Sequence, residues 1–345
     1  MTVTTVKSET GRDAAADKLP EVRHDWLPML LLPALAAIAL PLVGNATTWT
    51  TLTIAALAMG MMIFVMASGL TLIFGLMDVL NFGHGAFIAV GAYVALTVLG
   101  LVPTWVSAPS IALNLAALGL AAAAAMLVTG AAGWAFERVI VRPVYGQHLK
   151  QILITMGGMI VVEQIIHVIW GGDQKAMALP AGLRGAILIG DVALERYRLL
   201  CVIVGAVVLV SMLLVLNRTR LGLLIRAGVE NQEMVEALGY RVRRLFVGVF
   251  VAGSALAGLG GVMWALYRET LTAGIGGDVM VLVFIVIIIG GLGSVGGCFL
   301  GAILVAMMAN YTGYLAPKIA LASYILLMVA VLLWRPQGLY PVAKR

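Results

Sequence analysis

Ten apolar blocks follow one another along the chain, at approximately 27–43, 51–75, 82–100, 110–135, 151–170, 199–217, 245–267, 279–290, 296–313 and 318–334. A helix of about 20 apolar residues crosses the ~30 Å hydrocarbon core of a bilayer. In that solvent every backbone N–H and C=O must find its partner within the protein. A chain written in such blocks has one class of fold open to it. Composition agrees: hydrophobic residues make up 62% of the 345 and charged residues 11%, too few charges to cover a water-soluble surface. Several blocks are short or glycine-rich. The expected fold is an all-α integral membrane protein, a polytopic helical bundle of about 8–10 membrane segments with one or two broken or re-entrant helices.

The 22 Lys and Arg outnumber the 16 Asp and Glu, for a net charge of +6. In a soluble protein that balance would suggest nucleic-acid binding. Here the bases sit in connections between apolar blocks, which is the positive-inside pattern, and no nucleic-acid partner is expected. Arg138, Arg142 and Lys150 lie in 136–150, and Arg218, Arg220, Arg226, Arg241, Arg243 and Arg244 in 218–246. Arg335, Lys344 and Arg345 close the chain, whereas connections 44–50 and 101–109 carry no charge. Putting the basic connections in the cytoplasm places both termini there and requires an even number of crossings. The layout is then a polar cytoplasmic tail (1–26), a membrane domain (27–340) containing the cytoplasmic stretch 218–246, and a short cytoplasmic tail (341–345). Connection 171–198 resists the pattern, because Lys175, Arg184, Arg196 and Arg198 must lie outside by parity, offset in part by Asp173, Asp191 and Glu195. No apolar core precedes Trp26, so no cleavable signal peptide is expected. Cys201 and Cys298 are far apart in sequence and suggest neither a disulfide framework nor a metal site.

Four stretches stand out against the apolar background. Asp78, Asn81 and His84 recur every three residues between Gly69 and Val94, with Gly83 and Gly85 flanking the histidine. Residues three apart share a face if the segment is helical, and the glycines permit a broken helix whose freed backbone groups need polar partners. The segment then lies beside a translocation path. Capping of broken helix ends explains Asn81 and His84 more simply than direct substrate contact. His84 has no second His or Cys at ligand spacing, so no metal is expected. Glu163 and His167, four apart inside 151–170, form an ionisable pair at membrane depth, which is a functional hypothesis by default. Trp170 and Gly171 mark the nearby membrane edge, so an interfacial position for His167 competes with proton or substrate coupling.

In 218–246 an amphipathic helix is expected near 229–238. Glu230, Glu233 and Glu236 lie on one side, Met234 and Leu238 form an i, i+4 apolar pair, and Gly239 stands where a helix would stop. Acids at its start and Arg241, Arg243 and Arg244 after its end complement the helix dipole. Simple attachment to anionic lipid would favour bases throughout, so a docking surface for a soluble partner is the better reading. The spacings of Gly253, Ala257 and Gly261, and of Gly293, Gly297 and Gly301, place small residues in stripes that let helices approach closely. These are packing faces. A shift of 210 residues lays Gly83, Gly91 and Ala92 on Gly293, Gly301 and Ala302, a weak internal repeat of the sort that flanks transporter sites.

The chain contains no Gly-Lys dipeptide and hence no Walker-type phosphate loop, and no H-E-x-x-H, G-x-S-x-G or C-x-x-C motif. Asp78 and Glu163 are the only acids inside the apolar blocks or at the short turn between two of them, too few for a full proton relay. No enzymatic activity and no cofactor are expected in this chain.

GLTLIFGLMDVLNFGHGAFIAVGAYV (69–94), GLLIRAGVENQEMVEALGYRV (222–242), FIVIIIGGLGSVGGCFLGAIL (284–304) and WRPQGLY (334–340) together resemble, in order, the signatures of inner-membrane permease subunits from branched-chain amino acid ABC importers. The resemblance covers roughly residues 50–340. It implies a permease that pairs with a second homologous permease subunit, with two cytoplasmic ABC ATPase subunits that bind ATP and Mg, and with a periplasmic or lipid-anchored substrate-binding protein. Carried over by motif, Arg226, Ala227, Glu230, Asn231, Glu236, Ala237 and Gly239 make the ATPase-coupling element. Asn81, Phe82, Gly83, His84 and Gly85 belong to the membrane signature. The implied location is the cell inner membrane, in contact with lipid. A stand-alone, ion-coupled secondary transporter or channel using Glu163 and His167 is the rival reading.

Overall fold

In the computed structural model, residues 26–230 and 232–341 are described. The chain order is α1 (Leu27–Val43), α2 (Ala46–Met77), α3 (His84–Leu101), α4 (Pro103–Ser107), α5 (Ile111–Phe136), α6 (His148–Trp170), α7 (Arg196–Arg218), α8 (Arg220–Glu230), α9 (Gln232–Ala237), α10 (Val242–Arg268), α11 (Ile275–Gly290), α12 (Val295–Leu315) and α13 (Ala320–Trp334). A π-helical turn and a 3-10 turn extend α5 to Val144. Eight helical segments are long and apolar enough to cross a membrane, and α1 and α11 are shorter apolar helices. Together they reach ten, the upper end of the expected range. The polar tails lie outside the described residues, apart from Trp26 and Pro341.

Successive helices run in alternating directions between two faces. The basic face carries 137–147, 219–241, 291–294 and 335–341. The opposite face carries 44–45, 102–110, 171–195, 269–271 and 316–319, and 272–274 lead inward to α11. There β1 (Lys175–Ala176) pairs antiparallel with β4 (Thr270–Leu271), and β2 (Ala186–Ile189) with β3 (Val192–Glu195). Connection 171–198 therefore lies across the bundle from 218–246, as an even number of crossings between them requires. Asn114 ties this face together, donating from Nδ2 to the Trp105 carbonyl at 2.7 Å and accepting from the Gly182 N–H. The ends of the described chain, Trp26 and Pro341, both lie on the basic face.

Local chemistry sets the element ends. Gly44 turns left-handed (φ +71) to close α1, and the Asn45 side chain accepts from the N–H of Thr47 and of Thr48, capping α2. Hydroxyls inside the apolar helices bond back to their own backbone, as Thr71 does to Ala67 and Thr129 to Ala125. The expected small-residue stripe on α10 is a packing face. A Cβ at Gly253 would lie 2.7 Å from the Gly69 carbonyl oxygen of α2, one at Gly261 would collide with the Ile88 carbonyl of α3, and Ala257 is fully buried. On α12, a Cβ at Gly297 would strike the Gly290 carbonyl and one at Gly301 would lie 2.7 Å from the Val286 carbonyl, both of α11. Gly293 differs from the expectation. It precedes α12 in the turn from α11 at φ +82, with its backbone against Gly75, because the chain reverses within four residues there.

The 210-residue offset carries α3 (84–101) onto 294–311, which is most of α12. Each follows a glycine-bearing break after a helix running toward the basic face. α2 lies against α12 through Gly60 and Ile303, and α3 against α11 through Gly85 and Gly276.

The end of α11 is closed by the chain's own C-terminal motif. Helix C-termini leave carbonyls without intrahelical partners, and here the N–H groups of Leu339 and Tyr340 donate to the Ile289 and Gly290 carbonyls at 2.8 and 3.0 Å. Gly291 (φ +96) and Gly338 (φ +85) supply the left-handed turns that let the two backbones meet. Gly261→Val is expected to destabilise the chain by about 1–3 kcal/mol or more. Gly119→Ala, whose Cβ meets nothing within 4 Å, should be neutral or raise stability by up to ~1 kcal/mol. Thermal unfolding of detergent-solubilised protein, followed by loss of monodisperse elution, separates the two.

Candidate functional site

α2 stops at Met77 because Asp78 takes the left-handed conformation (φ +51) while its N–H still bonds to the Phe74 carbonyl. Residues 78–83 then run back without helix through the inside of the bundle, which lipid tolerates only where protein covers the backbone. The Phe82 N–H donates to Thr155 Oγ1 of α6 at 3.1 Å, and the Phe82 ring lies 4.5 Å from that of Phe284 in α11. Gly83 is needed for space: a Cβ there would strike the Phe136 ring. Asp78, Asn81 and His84 therefore do not share a helical face. Only His84 is in a helix, at the first position of α3, since the break intervenes.

His84 and Asn81 are both fully buried, yet they are partnered differently. His84 Nε2 lies 2.9 Å from the Met66 carbonyl, so it donates and fixes the tautomer, leaving Nδ1 without a partner. Neither side-chain atom of Asn81 has a hydrogen-bond partner. Ser254 Oγ, next along α10 from the Gly69 contact, also has none. His84 thus bonds to the interior of α2 rather than to a broken helix end, and the Asn81 side chain caps none. An unpaired buried amide costs roughly 1–3 kcal/mol, and the fold retains it.

The break opens toward a second one. α3 begins beside Gly276, where a Cβ at Gly85 would lie 2.6 Å from the Gly276 carbonyl oxygen, and α11 begins one residue earlier at Ile275. The two helices leave this point in opposite directions. Met159, whose sulfur borders Gly85, is the twelfth of the 23 residues of α6, which puts the junction halfway through the bundle. Two helix N-termini, each with a partial positive charge, converge there, their first N–H groups partly taken by the carbonyls of Asn81 and Gly83 in one and of Thr272 and Gly274 in the other. Glu163 Oε1 borders Gly274, the N-cap of α11, and a small cleft between α3, α6 and α11 is lined by Gly85, Ala89, Met159, Glu163, Ile166 and Gly276. His167 stands one turn farther along α6, bordering Gly172. The expected Glu163–His167 pair makes no ion pair within 4 Å. An ion pair is formed instead on the opposite face, by Arg198 and Glu195 at 2.8 Å.

Glu137 was missed by the sequence reading, because it follows an apolar block and precedes a basic connection. It is buried and accepts a 2.7 Å hydrogen bond from the Tyr145 hydroxyl. Burial first, and then that hydrogen bond, push the Tyr145 phenol well above its ordinary range, so it stays the donor. The pair clamps the turn between α5 and α6, and with Gln151 Nε2 bonding to the Val144 carbonyl at 3.2 Å it sets the depth of α6.

On the basic face helix is present where it is expected near 229–238, on both sides of residue 231: α8 begins earlier, at Arg220, and α9 covers Gln232–Ala237. Arg226, Ala227 and Glu230 stand on α8, Glu236 and Ala237 on α9, and Asn231 lies outside the described residues. Gly239 (φ +86) ends the element as expected. Ile225 and Val235 are buried beneath it. Glu236, Ala237 and Gly239 are exposed, as are Met234 (61%) and Leu238 (70%), so the expected apolar pair faces outward.

The chain matches the family model described as branched-chain amino acid transport system / permease component over residues 52–333. It is 30% identical over 292 residues to the high-affinity branched-chain amino acid transport system permease protein BraD of Pseudomonas aeruginosa, covering 82% of this chain and 92% of BraD. It is 26% identical to the corresponding permease protein LivH of Escherichia coli strain K12, over 80% of this chain and 90% of LivH. A probable branched-chain amino acid transport permease protein of Methanocaldococcus jannaschii is 25% identical over 81% of this chain and 88% of its own length. No solved structure matches.

Asn81→Leu removes an amide that holds nothing in the fold, so thermal stability is expected to stay level or rise. Uptake is expected to fall about tenfold, the equivalent of one lost hydrogen bond to substrate. Unfolding and radiolabelled-solute uptake, measured on the same variant, distinguish a site residue from a structural one.

Proposed function

The chain belongs to the family of branched-chain amino acid transport permease components, and from that premise we propose that it forms half of the translocation path of an ATP-binding cassette importer. The cargo is a branched-chain amino acid or a related small polar solute. One observation carries the proposal: two helix N-termini and Glu163 converge halfway through the bundle, beside the unpartnered Asn81 amide. Half-helix N-termini at membrane depth favour anionic groups, and a carboxylate one turn away favours an ammonium. A zwitterion finds both there. Phe82, Phe284 and Met159 supply an apolar wall. A second homologous permease completes the path, and no bond of the cargo is made or broken.

Energy comes from elsewhere. Two cytoplasmic ATPase subunits bind ATP and Mg and dock on the exposed run Glu236–Gly239 with Arg226, Ala227, Glu230 and Asn231. The basic face is then cytoplasmic, with both termini on that side of the inner membrane, and a periplasmic or lipid-anchored binding protein delivers cargo to the opposite face. Closure of the motor pushes on α8 and α9, and the glycine-packed core passes the push to the break as alternating access. The separation of Glu163 from His167 weighs against a self-sufficient ion-coupled carrier.

Gentle purification of the tagged chain from its native membrane, followed by mass spectrometry, is expected to recover two ATPases and a second permease. Glu236→Lys combined with Ala237→Trp should abolish ATPase recovery while the chain still elutes as a single species. Recovery of the chain alone, with uptake into liposomes that needs no ATP, would overturn the proposal.

A further inference from the structure

A groove of about 700 Å³ opens on the side of the bundle at the basic face, between α2, α5, α7 and α10, with α8 and α9 as its lip. Leu72, Met126, Met212, Val215, Ala252 and Leu256 are among its lining residues, and Arg241 and Arg244 stand at its mouth. Both arginines are exposed, and no ion pair to either is present among the described residues. From the geometry we propose that this groove is a binding site for an anionic phospholipid, with an acyl chain between α5, α7 and α10 and the phosphate on Arg241 and Arg244.

Depth supports this occupant. Arg244 and Leu256 are twelve residues apart on α10, ~18 Å at 1.5 Å per residue, close to the ~15 Å of one leaflet of the hydrocarbon core. The cations thus sit at headgroup level when the floor reaches the bilayer middle. That floor lies near Gly253, which meets Gly69 at the level of the His84 ring. A water-soluble partner does not reach so far in, and a lipid of the same leaflet already lies there. Charge selects among lipids, because two cations at the mouth favour a net-negative headgroup over a zwitterionic one. The cavity volume is in the range of sites that enclose a small molecule, larger than gaps left by imperfect packing.

The site bears on the coupling element. Ile225 of α8 and Val235 of α9 turn their buried sides into the same groove, so the lipid would form part of the bed on which the exposed run Glu236–Gly239 rests. This inference extends the proposed function without requiring it, since lipid retention is read without transport.

The test uses the full chain, purified with whatever partners it retains, and equilibrated in mixed micelles of phosphatidylglycerol and phosphatidylcholine with matched acyl chains. After removal of excess lipid, retained lipid per protein is quantified by mass spectrometry. The expected result is a retained fraction enriched about tenfold in phosphatidylglycerol. Arg241→Gln with Arg244→Gln should abolish that enrichment. Gly248→Leu, which fills the groove at a lining position whose Cβ meets nothing within 4 Å, should lower total retention while both arginines remain. Equal retention of the two lipids by the unaltered protein would overturn the proposal. Enrichment that survives both variants, or a cross-link from Ala252→Cys to a second permease in place of lipid, would also overturn it.

Discussion

Backbone-to-backbone contact holds this bundle together. Lipid tails are as apolar as leucine, so burial of apolar surface does little to drive membrane helices against one another, and close packing takes over that role. In this protein close backbone approaches occur where glycine faces glycine: Gly69 with Gly253, Gly85 with Gly276, Gly91 with Gly258. These contacts join α2, α3, α10 and α11, the helices that surround the break. Everything else rests on them. The outer helices α6, α7 and α13 present most of their length to the surroundings, and the tight glycines of α6 and α7, Gly158 and Gly205, face side chains of Phe136 and Met61 rather than backbone.

A rigid core of this kind makes the interruption at 78–83 tolerable. Irregular backbone is costly in hydrocarbon, and here it is covered by α6 on one side and α11 on the other, with the Phe82 N–H satisfied by Thr155. Asn81, with neither amide atom bonded, then stands out among the described residues, where His84 Nδ1, Tyr93 Oη, Gln151 Oε1 and Ser254 Oγ are also without partners but most hydroxyls bond back to the chain. A protein that satisfies Thr71 and Thr129 within their own helices is able to do so elsewhere. Where it does not, the site has another use.

Much of this was legible in the sequence, because it depends on composition over twenty residues or on glycine. The spans, their parity and the break between α2 and α3 follow from block length, basic connections and the polar residues beside Gly83. Features that depend on one backbone meeting another were not legible. Nothing in 269–276 marks α11 as starting halfway through the bundle, since the signal is the Gly85–Gly276 contact, between residues 191 positions apart. Glu137 was hidden for a different reason. Its partner Tyr145 sits in a turn where an acid reads as an ordinary solvated charge.

The pairing of Leu339 and Tyr340 with the end of α11 has a consequence for biosynthesis. Membrane proteins of this type are threaded into the bilayer as they are made, first residue first. Until residues 334–340 leave the ribosome, the last carbonyls of α11 have no strap to close them, and α11 is one of the helices that shapes the central junction. A segment made after α12 and α13 therefore closes a helix that precedes them both. A chain that stopped before Leu339 would insert every helix described above and still leave the end of α11 open.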